Sequence, residues 1–177
     1  MRSMKIVTKR FVLDATKLDA LKALGTSYGV QNPTRVEVST ALLYKCAAAA
    51  SEVSSGSPMS SVLIQLVNLR GILAHHFHQI LLETCTSFFS ISGIQENDFE
   101  FHGLVGQLKK GIENFRSNYG KKFTNDELPS IVFGSLRGGS QCFSDSNNPI
   151  NVYLCSSWCR FPLYQMDFGW GKPVWVT

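Results

Sequence analysis

No stretch of this chain stays apolar long enough to cross a bilayer. The longest run, residues 62–69, is broken by Gln65 and Asn68, whereas a spanning helix needs about 20 consecutive apolar residues. A secretory leader is also missing. The first residues, MRSMKIVTKRF, are basic but have neither an apolar h-region nor a small-residue cleavage site, which argues for a cytoplasmic home. The five cysteines (Cys46, Cys85, Cys142, Cys155 and Cys159) are odd in number and irregularly spaced. They do not form the dense, even framework of a small secreted disulfide protein and read as reduced thiols. Charge is sparse at 17% of residues, and 17 basic against 13 acidic side chains leave a net charge of +4. The densest basic group, Lys109, Lys110, Lys121 and Lys122, has Glu113 between its halves and falls in or just beyond a helical pattern. That is a solvated helix face, and no nucleic-acid partner follows from it. No internal repeat is present.

What remains is an ordinary globular composition, 44% hydrophobic over 177 residues, enough to bury one good core. KIVTKRFVLD at 5–14 alternates like a strand, and Asp14 or Thr16 then caps a short helix carrying Leu18, Leu21 and Leu24. Residues 25–33 form a turn-rich link. Thr34-Arg35-Val36-Glu37 is a capping box, in which the Thr34 hydroxyl accepts the Glu37 amide and the Glu37 side chain returns to the Thr34 amide. It starts a helix through Val38, Leu42, Leu43 and Cys46 to Ala50. SEVSSGSPMSS at 51–61 is a small, polar, exposed loop rather than a domain boundary. A buried strand, VLIQLVNLR at 62–70, follows, with a second strand at 88–91. Leu104, Leu108, Ile112, Phe115 and Tyr119 recur with the period of an amphipathic helix. IVFGSL, a Gly/Ser/Asn-rich loop at 138–149 and an extended stretch from Val152 complete the chain. The order β-α-α-β-β-α followed by strands makes the fold class α/β (mixed α+β), a mixed sheet with helices packed on it.

Two groupings invite a metal. Cys155 and Cys159 lie on one face of an extended segment, but at strand rise they stand about 13 Å apart, too far to share a tetrahedral ion. In HHFHQ at 75–79, His76 and His78 share a strand face, yet no acid or cysteine at a suitable spacing completes a ligand set. His102 opens a helix with no partner acid and reads as a surface or capping residue rather than a base.

Particular words go further than the inventory. NPTRVEVSTALLYKC at 32–46, QLVNLR at 65–70, HGLVGQLKKGI at 102–112, SSWCRFPLY at 156–164 and above all DFGWGKP at 167–173 resemble the plant BAHD acyltransferases, nearest the vinorine synthase-like branch that acylates alkaloids and alcohols. The resemblance covers most of the chain in the family's order. It implies a transferase that moves an acyl group from acyl-CoA to a hydroxyl or amine of a plant metabolite, with acyl-CoA as co-substrate and no permanently bound cofactor. It also implies a chloramphenicol acetyltransferase-like fold of two similar domains with a channel between them, and a catalytic base in the histidine of an HxxxD motif.

On that basis residues 1–177 are expected to be a single partial domain, the second-domain portion of a longer acyltransferase, with the DFGWG crossover segment at 152–177. The motif itself is implied to be structural. Asp167 faces away from substrate and pairs with an arginine, for which Arg70 of VNLR is the candidate; Gly169 and Gly171 turn the chain, and Phe168 and Trp170 pack. A partly buried carboxylate persists as an ion only when paired; read without the resemblance, Asp167 is an exposed turn residue. Arg160 in SSWCRFP is a candidate substrate-side contact, since a guanidinium suits a carboxylate-bearing acceptor. Thr40 and Lys45 are placed toward the CoA side.

The chain departs from the pattern in three places. The positions four residues after His75, His76, His78 and His102 are Gln79, Ile80, Leu82 and Gly106, so HxxxD does not occur. The segment between Arg70 and Phe88 replaces a proline-rich loop and a GN turn, and the family's further strands after DFGWG are absent. Two readings follow. Either the chain belongs to an acyltransferase and is inactive alone, or it is a non-catalytic binding module that pairs with the missing N-terminal domain or an intact homologue.

Overall fold

Asp14 marks where the first helix begins. Its Oδ1 accepts the Lys17 amide at 2.8 Å and caps α1 (Ala15–Ser27). In this computed structural model, residues 6–57, 59–68, 86–92, 99–119, 150–159 and 161–176 are described. The chain gathers into two compact units, Met1–Ser60 with Gly93–Asn114, and Ser61–Ser92 with Phe115–Thr177.

In the first unit α1 packs against α2 (Arg35–Ser55). The Thr34 capping box forms as the sequence implies, with Glu37 Oε2 accepting the Thr34 amide at 2.8 Å and Thr34 Oγ1 accepting the Glu37 amide at 3.3 Å. Glu37, Val38, Thr40, Ala41 and Tyr44 are buried, the stripe expected of a helix with one face inward. Gly25 is buried in α1, and a Cβ there would stand in ordinary contact with Pro33 Cγ at 3.5 Å and Val105 Cγ1 at 3.8 Å. α3 (Phe101–Tyr119) begins in this unit and buries Phe101, Leu104, Val105 and Leu108. His102 stacks flat on Tyr28, with ring centroids 4.3 Å apart and an interplanar angle of 8°. Lys109 reaches Glu113 at 3.7 Å, consistent with a solvated face.

The second unit holds a mixed three-stranded sheet ordered β2-β1-β3, with β1 at Ser61–Asn68, β2 at Thr86–Ser92 and β3 at Asn151–Cys155. β1 pairs antiparallel with β2, Leu63 opposite Ile91, and parallel with β3, Leu63 opposite Tyr153. Its residues 61–65 are buried on both faces, which is why it reads as a continuous apolar run rather than an alternation.

Three local expectations are corrected. Residues 6–14 form no strand and are largely exposed, with Ile6, Val7, Phe11 and Val12 in solvent; among the described residues no strand pairs with them, and alternation alone does not make a ladder. α1 runs to Ser27, three residues into the expected link. α2 continues through the serines to Ser55 and stops at Gly56, whose left-handed backbone (φ 74°) donates its N–H to the Glu52 carbonyl. The IVFGSL segment and the loop at 138–149 lie outside the described residues.

Candidate functional site

β3 delivers the chain to the motif. Its sequence NVYLC suits a pleated edge, with Tyr153 half-buried and Leu154 exposed, and the strand ends at Cys155. Gln65, directly across from Cys155 on β1, donates from Nε2 to the Cys155 carbonyl at 3.4 Å and to the Leu66 carbonyl at 3.1 Å. It is 3% exposed, and among the described residues its Oε1 has no hydrogen-bond partner. Beyond β3, Phe161 N–H bonds the Trp158 carbonyl, and Pro162 opens a single 3-10 turn at Leu163–Gln165. The expected extended stretch therefore ends at Cys155 and gives way to turns.

At Asp167 the chain folds back on its own side chain. Oδ1 accepts the amide of Gly169 at 2.8 Å and that of Gly171 at 3.0 Å. Both glycines have positive φ, 99° and 108°, a backbone that side-chain-bearing residues rarely adopt. Phe168 and Trp170 stack with centroids 5.9 Å apart and planes 28° apart. Asp167, Phe168 and Trp170 are exposed in this chain, and the expected pairing of Asp167 with Arg70 falls on a residue outside those described. Arg70 and Arg160 lie outside the described residues, as do His75, His76 and His78.

The helical candidates are accounted for locally. Thr40 is buried on α2, and Lys45 pairs with Glu100 at 3.1 Å. His102 is engaged by Tyr28. Cys46, Cys155 and Cys159 form no disulfide, and among the described residues no three His, Cys, Asp or Glu side chains gather where they could hold a metal. No described helix is long and apolar enough to cross a membrane. The signal for Gln65 in the sequence is a lone amide inside the apolar run VLIQLV.

The model of the Transferase family matches residues 2–177. The chain belongs to this family, the BAHD acyltransferases. It is 42% identical over 178 residues to akuammiline synthase 1 of Alstonia scholaris, covering 98% of this chain and 40% of that protein. To 17,18-epoxy-17-hydroxycur-19-ene N-malonyltransferase of Strychnos nux-vomica it is 40% identical over 169 residues, covering 96% of this chain and 36% of the relative. Among solved structures, that of vinorine synthase superposes with a TM-score of 0.66 at 26% identity, over 92% of this BAHD chain and 35% of that one. The α/β class and mixed sheet are thus those of a BAHD acyltransferase, and the chain spans less than half the length of these relatives.

Proposed function

We propose that this chain serves acyl transfer from acyl-CoA to a hydroxyl or amine of a plant secondary metabolite, as the second-domain portion of a BAHD acyltransferase in the cytoplasm. The observation that carries this reading is the similarity of nearly the whole chain, at 40% identity, to a relative named as an N-malonyltransferase. In acyl transfer a neutral base takes the acceptor's proton, the freed oxygen or nitrogen attacks the thioester carbonyl, and CoA leaves as its thiol once protonated. No histidine here is followed four residues later by an aspartate, and His102 is stacked on Tyr28. The base is therefore supplied by sequence outside these residues, and the chain alone does not turn over. Acyl-CoA is a co-substrate on this reading, and neither a permanently bound cofactor nor a nucleic-acid or membrane partner is part of it.

The test is CoA-thiol release from acetyl-CoA and malonyl-CoA with an alkaloid alcohol or amine acceptor, with the purified chain alone and then mixed with the part of akuammiline synthase 1 that this chain does not match. No release alone and release on mixing is the expected result. Turnover by the chain alone would overturn the inactivity, and silence in both arms would overturn the complementation.

A second reading rests on the tail, where Phe168, Trp170, Val174 and Trp175 are 64–94% exposed. So much apolar surface suits a non-catalytic module that pairs with an intact acyltransferase. A monodisperse complex between the two, without turnover by this chain, would favour it.

A further inference from the structure

The geometry points to Asp167 as a positioning residue whose work in the DFGWG turn is done by one oxygen and not by its charge. Both amides, Gly169 N–H at 2.8 Å and Gly171 N–H at 3.0 Å, converge on the same Oδ1. The bond to Gly171 spans four residues and closes the whole motif on its first side chain. The glycines are required by their backbone alone, because a Cβ at either would meet nothing within 4 Å. Two bonds to one atom fix where residues 168 and 170 emerge, and those are the stacked Phe168 and Trp170.

This role has a chemical signature. An amide oxygen has two lone pairs and, in asparagine, sits the same number of bonds from Cα, so it can accept both N–H groups without a negative charge. Alanine offers no acceptor, and glutamate carries its oxygens one methylene too far. Among the described residues the second carboxylate oxygen, Oδ2, takes no hydrogen bond in the turn. Pairing with a basic residue such as Arg70 is therefore separable from holding the loop.

The experiment is amide hydrogen exchange by NMR on the full 177-residue chain for wild type, D167N, D167A and R70A, with the β1 amides of the sheet as an internal control on folding. In wild type the Gly169 and Gly171 amides are protected. D167N and R70A keep that protection, together with the cross-peaks between the Phe168 and Trp170 rings. D167A loses the cross-peaks, and its two amides exchange about three- to tenfold faster, the range for loss of one surface hydrogen bond. If D167N exchanges as fast as D167A while β1 stays protected, the turn depends on charge and the inference fails. It fails equally if R70A loses protection, or if D167A keeps it. None of these outcomes depends on acyl transfer.

Discussion

Replacing Glu37 with alanine tests the structure at the point where a four-residue pattern sets the start of a 21-residue helix. Glu37 is 4% exposed, and its Oε2 is the acceptor for the Thr34 amide at 2.8 Å. E37A leaves that donor unsatisfied in a part-buried place and opens one side of the box, which costs about 1–2 kcal/mol. For a chain of this size the melting temperature should fall by about 2–8 °C, at roughly 2–4 °C per kcal/mol. T34A, which removes the longer 3.3 Å bond, costs about 1 kcal/mol. Because the bonds are reciprocal, the double variant should lose less than the sum, by about 0.5 kcal/mol. E37Q keeps an oxygen and the size of the side chain, so it should cost less than half as much as E37A. Denaturant unfolding of the four proteins reads all of this. If E37A stays within about 0.5 kcal/mol of wild type, as an ordinary surface change does, the box carries no stability. If E37Q is as damaging as E37A, the helix dipole and not the hydrogen bond is what Glu37 serves.

Leu104, fully buried on α3, should cost about 2–5 kcal/mol on truncation to alanine, measured by the same unfolding assay, against nearly nothing for the exposed Leu43. Asn32 holds a positive φ of 45° just before Pro33, so N32A should destabilise by about 1 kcal/mol while N32G is close to neutral. The amide and then the side chain of Lys17, both bonded to the Asp14 carboxylate, hold its pKa below the usual aspartate range. A depressed folded pKa means that the unfolded state takes up the proton first, so the stability Asp14 contributes is present above the ordinary carboxylate range and is lost as the pH falls through the folded value. An acid titration that follows Lys17 amide protection should show this limb in wild type and not in D14N.

Features whose cause lies within a few residues were legible in the sequence. The Thr34 and Glu37 pair, the Asp14 cap and the Leu104, Leu108 and Phe115 stripe follow from spacing, because an i to i+3 or i+4 geometry is completed locally. The strand expected at residues 5–14 has the right alternation, yet a strand exists only with a partner, and composition does not name one. The parallel pairing of β1 with β3 was hidden for the same reason, since its partners are far apart in sequence. At the site, the motif was recognised by its letters and its aspartate was assigned to a distant arginine. The nearer partners, the N–H groups of Gly169 and Gly171, were signalled by an Asp two and four residues ahead of glycines, a pattern that favours a side-chain-closed turn.

The register of that sheet also sets a clock on synthesis. β1 and β2 can zip together as soon as both have left the ribosome, but the bond from Gln65 to Cys155 waits for a residue 90 positions downstream. Once β2 has ended at Ser92, translation at about 5–20 residues per second takes roughly 3–13 s to reach Cys155, far longer than hairpin closure takes. Throughout that interval one side of an apolar strand, Val62-Leu63-Ile64, offers its backbone groups to any passing segment. The nascent chain thus spends seconds with its central strand half-paired, an interval in which the open edge is exposed to mispairing.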